Sequence, residues 1–112
     1  MKVRLLLVLV LGAAACKPEA KVRGDGAEIY ARMCVTCHGS TGKPSATMIA
    51  RLAVRDLTAP ELRDRITPSL VEAQVRKGSQ NKLMPGFEGA LSDAEIKAVS
   101  AYVASSQFLS PP

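Results

Sequence analysis

Two cysteines three positions apart, with a histidine directly after the second, constrain this chain more than any other feature: Cys34, Cys37 and His38. This is the spacing at which a c-type haem is attached. Because residues i and i+3 lie on one face of a helix, both thiols can form thioethers to the two vinyl groups of one porphyrin edge. His38 then lies beside the macrocycle and can reach its iron. The motif predicts a covalently bound haem c.

The same cysteine pair suits two other uses, a dithiol redox site and half of a zinc site. A zinc site needs a second pair of ligands, but His38 is the only histidine and Cys16 is the only other cysteine. A thioredoxin-like site needs a βαβ setting, and no strand pattern precedes Cys34. Haem attachment is therefore favoured over both.

Composition indicates one small domain that is short of apolar bulk. The chain has 112 residues, with 4% aromatic residues and no tryptophan, so few large side chains can fill its interior. A haem would supply that bulk. The formal charge is +5, and removal of residues 1–15, which include Lys2 and Arg4, leaves +3. This modest, scattered charge does not predict a nucleic-acid partner.

The first residues have the three parts of a secretory signal peptide. Residues 1–4 are basic, residues 5–11 are apolar, and the small residues 12–15 precede Cys16. The apolar run and the small residues that follow it, residues 5–15, number about eleven, fewer than the roughly twenty that cross a bilayer as a helix. We therefore predict a cleaved signal peptide over residues 1–15 and export to the periplasmic space.

Cys16 directly follows three alanines, an arrangement similar to the lipobox of bacterial lipoproteins. In those proteins the cysteine receives a diacylglyceryl group and becomes the new N-terminus. The count of thiols supports this interpretation, because two of the three cysteines go to haem and one is left over. We expect a lipidated Cys16 and a polar tether, together residues 16–25, to hold the protein at a membrane. The alternative is ordinary cleavage near Ala15 that leaves a free thiol.

Helix signals dominate the remaining sequence, and no segment reads convincingly as a strand, which predicts an all-α domain over residues 26–107. One helix starts at Asp25 and runs into the haem motif, with Gly26, Tyr30 and Cys34 on one face. Residues 46–54 carry apolar side chains without a clean period and are predicted as a loop or a short helical turn.

Two helices are predicted between the haem motif and the C-terminal helix. Thr58 and Glu61 have the spacing of a capping box and predict a short helix. Thr67 as N-cap and Pro68 as first helical residue start the next, which ends at Gly78.

The clearest helix of the chain begins at a second capping box, formed by Ser92 and Glu95, and extends to about Gln107. It carries one apolar stripe: Ile96, Val99, Tyr102 and Val103.

The second axial position of the iron decides between an electron carrier and a catalyst. In the absence of a second histidine, the candidates are Met33, Met48 and Met84. Met33 adjoins Cys34 in the same helix and cannot reach the opposite face, whereas Met48 lies in an apolar cluster that suits a core residue. Met84 lies in a loop between two helices, where Pro85 stiffens the chain. The residues alone favour Met84 over Met48 without excluding Met48.

These motifs together resemble a class I bacterial cytochrome c. The resemblance covers about residues 22–107 and rests on the following residues: Gly26-x3-Tyr30-x3-Cys34-x2-Cys37-His38-Gly39, Gly78, Met84-Pro85-Gly86-Phe87, Leu91-Ser92-Asp93-Ala94-Glu95-Ile96 and Tyr102-Val103. It implies the cytochrome c fold, with about four helices around one covalent haem and the first and last helices packed across each other. It also implies thioethers from Cys34 and Cys37, with His38 as proximal and Met84 as distal ligand.

The resemblance implies further contacts. Gly26 and Tyr30 would meet Val99 and Tyr102 where the two helices cross. A proline carbonyl usually orients the proximal histidine in this family, and Pro44 is the nearest candidate.

An iron with both axial positions filled by protein leaves no place for a substrate. The expected function is single-electron transfer through the exposed haem edge, not enzymatic catalysis. The expected partners are membrane or periplasmic redox proteins as electron donor and acceptor, with no small-molecule substrate. Three alternatives stay open: a haem subunit of a larger oxidoreductase, a sensor or peroxidase-like protein with a labile Met84, and a dithiol or metal-binding module without haem.

Overall fold

A computed structural model of the chain describes Gly12 and residues 24–110. This described part is helical and contains no strand, apart from one isolated bridge between Glu88 and Leu91. The predicted all-α class is confirmed. No helix in it is long and apolar enough to span a bilayer. The predicted signal peptide (except Gly12), Cys16 and the tether up to residue 23 lie outside the described residues.

Six α-helices and a final 3-10 helix make up residues 24–110, in the following order: α1 Gly26–Met33, α2 Val35–His38, α3 Ala46–Leu52, α4 Pro60–Arg63, α5 Pro68–Lys77, α6 Asp93–Ala104 and the 3-10 helix Ser106–Leu109. Two of the helices, α2 and α4, are single turns of 4 residues. The other four correspond in number to the expected count of about four helices, although α3 is one that the sequence did not predict.

The first and last α-helices pack directly on each other, as the resemblance implied. A Cβ atom built on Gly26 would collide with the carbonyl oxygen of Ala98 and would lie 2.6 Å from Tyr102 Cβ. Only glycine allows the two helix backbones to approach this closely. Tyr30 also meets Tyr102, with ring centroids 6.1 Å apart in an edge arrangement.

The core of the described part lies where α1, α5, α6 and the 3-10 helix meet. Its buried apolar side chains are Ile29, Tyr30, Val75, Ile96, Val99, Val103 and Phe108. Phe108 contacts both tyrosine rings edge-on, with centroids 5.1 Å from Tyr30 and 5.4 Å from Tyr102. Edge-on aromatic packing of this kind adds to the energy of burial. The C-terminal 3-10 helix therefore completes the core.

Arg63 at the end of α4 fastens the middle of the chain to this core. Its guanidinium donates to the carbonyl oxygens of Val103 (2.8 Å) and Ser105 (2.9 Å), and more weakly to that of Leu57 (3.4 Å). The same group lies 5.7 Å from the centroid of the Phe108 ring. One side chain thus satisfies carbonyl groups at the C-terminal end of α6, where the helix leaves its last carbonyls free.

Two predicted helix starts are confirmed in detail. Thr67 Oγ1 accepts a hydrogen bond from the amide of Leu70, and Pro68 follows as the first residue of α5. Ser92 and Glu95 form both halves of a capping box at the start of α6. This helix ends at Ala104, earlier than expected, because the chain tightens into the 3-10 helix.

The capping box predicted at Thr58 and Glu61 is wrong. The Thr58 hydroxyl and amide both donate to Asp56 Oδ1, at 2.6 and 2.8 Å, so the hydroxyl does not cap the helix. The N-cap of α4 is Ala59, which makes no side-chain hydrogen bond. A competing carboxylate two residues upstream decided the outcome.

Residues 46–54 contain a helix of 7 residues, α3, where a loop or a short helical turn was expected. Ser45 Oγ accepts from the amide of Met48 and starts it, and Ala53, with φ of 50°, ends it in the left-handed region. No residue of α3 is buried. The missing apolar period is explained by this exposure, because a helix without a buried face needs none.

Candidate functional site

The haem motif lies at the junction of α1 and α2. Cys34 has φ of −119° and interrupts the helix, but the hydrogen bonds continue across it. Its amide donates to the carbonyl of Tyr30 at 2.9 Å, and the amide of His38 donates to the carbonyl of Cys34 at 2.9 Å. Both thiols, on Cys34 and Cys37, are free and partly exposed. The expected helix therefore carries the motif, with one irregular residue at the first cysteine.

The Cys34 thiol does not have the character of an activated redox cysteine. Burial, with a smaller effect from Cys37, raises the pKa of Cys34 to about 11. Redox-active cysteines have low pKa values, because the thiolate is the reactive form. Before any attachment the Cys34 thiol is thus neutral at pH 7. This property argues against the dithiol redox alternative.

Tyr30 locks the start of the loop that follows the motif. Its hydroxyl donates to the carbonyl oxygen of Gly39 at 2.7 Å. Burial raises the pKa of Tyr30, so the phenol stays protonated and remains a donor. Gly39 and Gly42, with φ of 78° and 84°, then turn the chain back on itself in a conformation that favours glycine.

His38 is oriented by a carbonyl that the sequence did not identify. Its Nδ1 lies 3.4 Å from the carbonyl oxygen of Arg55. The expectation of Pro44 as the orienting residue is therefore wrong. The reason is tertiary: the amide of Leu57 donates to the carbonyl of Gly42 at 2.9 Å, which brings residues 55–57 alongside the turn after His38.

This contact determines which ring nitrogen of His38 is available to bind a metal. A carbonyl oxygen only accepts, so Nδ1 carries the proton, and Nε2 presents its lone pair. Burial lowers the pKa of His38 below 6.5, and the Arg55 carbonyl opposes that shift. The imidazole is neutral at pH 7 and can serve as a metal ligand. A backbone carbonyl on the second nitrogen is the usual support for a histidine that binds a metal.

Met84 lies in the loop between α5 and α6, as the sequence predicted. Its side chain is half-buried and packs against the core. Both of its backbone polar groups are paired with Ser79: the Met84 amide donates to Ser79 Oγ at 3.0 Å, and the Ser79 amide donates to the Met84 carbonyl at 3.0 Å. The thioether is thus carried by a closed and braced turn.

The other two methionine candidates have weaker positions. Met33 is the last residue of α1, next to Cys34, and is 40% exposed. Met48 lies in the first turn of α3, a helix in which no residue is buried, so the expectation that Met48 belongs to the core is not met. Of the three, Met84 alone combines a loop position with packing against the core.

The described residues suit a haem better than the alternatives. Among residues 24–110, no group of three His, Cys, Asp or Glu side chains is arranged to hold a metal ion, as a zinc site would require. A haem instead needs two thiols, a neutral imidazole, a soft distal ligand and apolar surroundings. Two thiols, a neutral imidazole and a thioether are present, and large apolar side chains such as Ile49, Leu70 and Leu83 are about half exposed. His38 and Met84 are the residues that would hold the iron.

Two features of the site were missed by sequence reasoning. The role of the Arg55 carbonyl has no sequence signal, because every residue has a carbonyl. The brace of Ser79 and Asn81 beside Met84 had one: serine and asparagine directly after a helix-ending glycine are typical of turns in which side chains bond the nearby backbone.

Comparisons with known proteins identify the family. Residues 23–103 match the sequence model of the family described as cytochrome c oxidase, cbb3-type, subunit III. Cytochrome c6 of Euglena gracilis is 35% identical over 80 residues, which span 70% of this chain and 85% of that protein. Subunit CcoP of the cbb3-type cytochrome c oxidase of Cereibacter sphaeroides is 31% identical over 93 residues, but the chain spans only 28% of its length.

A solved structure supports the fold. The c-type cytochrome KustC0563 superposes with a TM-score of 0.63 at 28% sequence identity, over 71% of this chain and 94% of that one. The expected cytochrome c fold is therefore confirmed. The chain belongs to the cytochrome c family described by the cbb3-type subunit III model, as a small member with covalently bound haem c.

Proposed function

We propose that this protein is a single-electron carrier whose haem is attached through Cys34 and Cys37 and whose iron is held by His38 and Met84. The observation that carries the proposal is the pair of prepared ligands: a neutral imidazole with Nε2 free, and a thioether on a braced loop. With both axial positions filled by protein, the chemistry left to the iron is electron transfer. The cytochrome c6 relatives support a carrier instead of an enzyme.

The ligand pair also sets the direction of the reduction potential. A soft thioether favours ferrous iron relative to a second histidine, and burial of the ring disfavours the additional positive charge of ferric iron. Both effects raise the potential. A potential as low as that of a bis-histidine haem would contradict the proposed ligation by Met84.

We further propose that the mature protein is exported and tethered to a membrane by lipid on Cys16. The support is the sequence of residues 1–16: a basic start, a short apolar run and three alanines before a leftover cysteine. A tether would raise the local concentration of membrane-bound redox partners. Cys16→Ser should release the protein from membranes, and unchanged membrane fractionation of that variant would refute lipid attachment.

A haem subunit of a larger oxidoreductase is the second candidate, because the matching family model is that of an oxidase subunit and the CcoP relatives carry this domain within a longer chain. The two candidate functions predict different behaviour during purification. A carrier purifies alone and is reduced and reoxidised by soluble donors and acceptors. A subunit copurifies in stoichiometric amounts with its partner chains after mild detergent extraction.

The test of ligation is the optical spectrum of the ferrous protein, matured in a host with haem-attachment machinery, before and after carbon monoxide. A low-spin spectrum that carbon monoxide does not change on mixing supports the pair of His38 and Met84. A spectrum that shifts at once indicates an open or labile position and favours a sensor or peroxidase-like function. His38→Ala should abolish a stable holo-protein, whereas normal low-spin haem in this variant would overturn the assignment.

A further inference from the structure

The loop that carries Met84, here called the methionine loop, comprises residues 78–87, and its turn is closed by one residue, Ser79, through its side chain and its backbone amide. Ser79 makes hydrogen bonds to both backbone polar groups of Met84, each 3.0 Å long. The next residue, Pro85, has no amide hydrogen to offer a further bond. The position of Met84 along the loop therefore depends on Ser79.

Asn81 holds the Ser79 side chain in place. The Ser79 hydroxyl accepts from the Met84 amide and donates its own proton to Asn81 Oδ1 at 2.7 Å. The same Asn81 oxygen accepts from the amide of Leu83 at 3.1 Å. The amide of Lys82, a residue with φ of 61°, donates to the Ser79 carbonyl at 3.1 Å. The turn is thus a connected network, with the serine hydroxyl at its centre.

The two ends of the methionine loop are fixed independently of Ser79. On one side Gln74 Nε2 donates to the Gly78 carbonyl at 2.8 Å, and on the other the Phe87 amide donates to the Val75 carbonyl at 2.9 Å. A Cβ atom on Gly78 would lie 2.6 Å from the amide nitrogen of Gly86, so the two ends of the loop are in close contact. The part that can open is residues 79–84.

We propose that Ser79 is a positioning residue that keeps the thioether of Met84 at the iron by closing this turn. The inference rests on the proposed ligation by His38 and Met84. An external ligand reaches the iron only in the minor population in which Met84 has left. Loss of the Ser79 hydroxyl removes a bond that exists only in the closed turn, and so increases that population.

The test is the rate at which carbon monoxide binds to ferrous holo-protein in three variants. Ser79→Ala should bind between about 2-fold and 10-fold faster than wild type, the range that corresponds to one ordinary hydrogen bond. Ser79→Thr retains a hydroxyl and should restore most of the wild-type rate. Gln80→Ala, at an exposed neighbour in the same loop, should leave the rate unchanged.

A general loss of stability must be separated from a local effect. Arg63→Met removes the link between α4 and α6 and destabilises the protein away from the methionine loop. If carbon monoxide binding followed overall stability, Arg63→Met would accelerate it as much as Ser79→Ala, and that result would overturn the proposal. The expected result is an acceleration confined to variants of Ser79 and Asn81.

Failure of this inference and failure of the proposed function look different. Rapid binding of carbon monoxide by wild type would refute closed ligation by Met84, whatever the variants do. A resistant wild type with an equally resistant Ser79→Ala would leave the ligation intact and refute the role of Ser79. If Ser79→Ala does not fold, Asn81→Ala provides the same test, with a smaller acceleration expected and an unchanged rate as the contrary result.

Discussion

Two regions of the molecule differ in burial. The helices α1, α5, α6 and the final 3-10 helix, here called the packed half, bury large apolar side chains, whereas the segment of residues 40–66 leaves its large apolar side chains at least partly exposed. Every buried apolar side chain in residues 24–110 other than proline belongs to the packed half. In residues 40–66 the buried positions are Gly42 and Pro44, and neither α3 nor α4 has a buried residue. One half thus has its own core, whereas the other depends on links to its surroundings.

This difference concerns what holds residues 40–66 in place. A helix holds its place in a small domain by burial of one face, and α3 buries none within the polypeptide. The segment 40–66 lies directly after the haem motif and supplies the Arg55 carbonyl to His38. Within the polypeptide, hydrogen bonds such as those of Arg63 and of the Leu57 amide link this segment to its surroundings.

The largest expected effect comes from breaking the packed half at its closest approach. Gly26→Val places atoms against the Ala98 carbonyl and Tyr102 Cβ, so it should lower the free energy of unfolding by about 3 kcal/mol. Guanidinium unfolding of the holo-protein measures this loss. Ala31→Val, at an exposed position of the same helix, is the control and should cost less than about 1 kcal/mol. Equal losses in the two variants would mean that the helix crossing is not tight.

The second prediction breaks the link between the two regions. Arg63→Met leaves the carbonyls of Val103 and Ser105 without their charged donor and should cost about 2 kcal/mol. Arg65→Met makes the same change of charge at an exposed position and should have little effect. Proteolysis should cut first within residues 40–66 in Arg63→Met. First cleavage inside α6 would contradict the division into two regions.

The third prediction is a substitution that stabilises the packed half. Ser100 is 1% exposed in α6, and its hydroxyl has no hydrogen-bond partner within the described residues. Ser100→Ala removes an unsatisfied buried polar group and adds helix propensity, so unfolding should require about 1 kcal/mol more. Ser106→Ala, at an exposed serine, should be nearly neutral. A loss of stability in Ser100→Ala would indicate a partner for the hydroxyl in the folded protein.

The smallest effect is expected in the exposed segment and depends on pH. The hydroxyl and then the amide of Thr58 lower the pKa of Asp56 below 3.8. A depressed pKa in the folded state contributes stability above the ordinary carboxyl pKa, and this contribution is lost as the pH falls through the folded value. Asp56→Asn should therefore be less stable than wild type at pH 6, with the difference shrinking below pH 3.8.

Unfolding titrations at both pH values measure this difference. The exposed Asp64→Asn serves as control for the change of charge. A difference between Asp56→Asn and wild type that is constant with pH would show that the two bonds from Thr58 do not depend on the carboxylate charge.

Local signals explain what could be predicted from the sequence. Thr67 with Pro68, and Ser92 with Glu95, cap their helices as expected, and each hydroxyl accepts from a helix amide three residues on. Thr58 failed because Asp56 lies two residues away and takes both of its donors. An acidic residue two positions before a candidate capping residue is thus a signal against the cap.

Tertiary position explains what could not be predicted. The Arg55 carbonyl faces His38 only because residues 55–57 lie beside Gly42, and no local pattern encodes that pairing. The left-handed end of α3 at Ala53 likewise lacks the glycine that usually signals it. The motif of Cys34 to His38 could be recognised from the sequence because covalent attachment requires this spacing of residues.

The main-chain acceptor on His38 has an evolutionary consequence. Because the oxygen that faces Nδ1 belongs to the backbone of residue 55, no side-chain substitution removes it as long as the chain keeps its path. The exposed side chain of Arg55 can therefore be exchanged while the histidine keeps this acceptor. Substitutions at residue 55 can thus alter the charge displayed at this point of the surface over evolution while the acceptor of Nδ1 is retained.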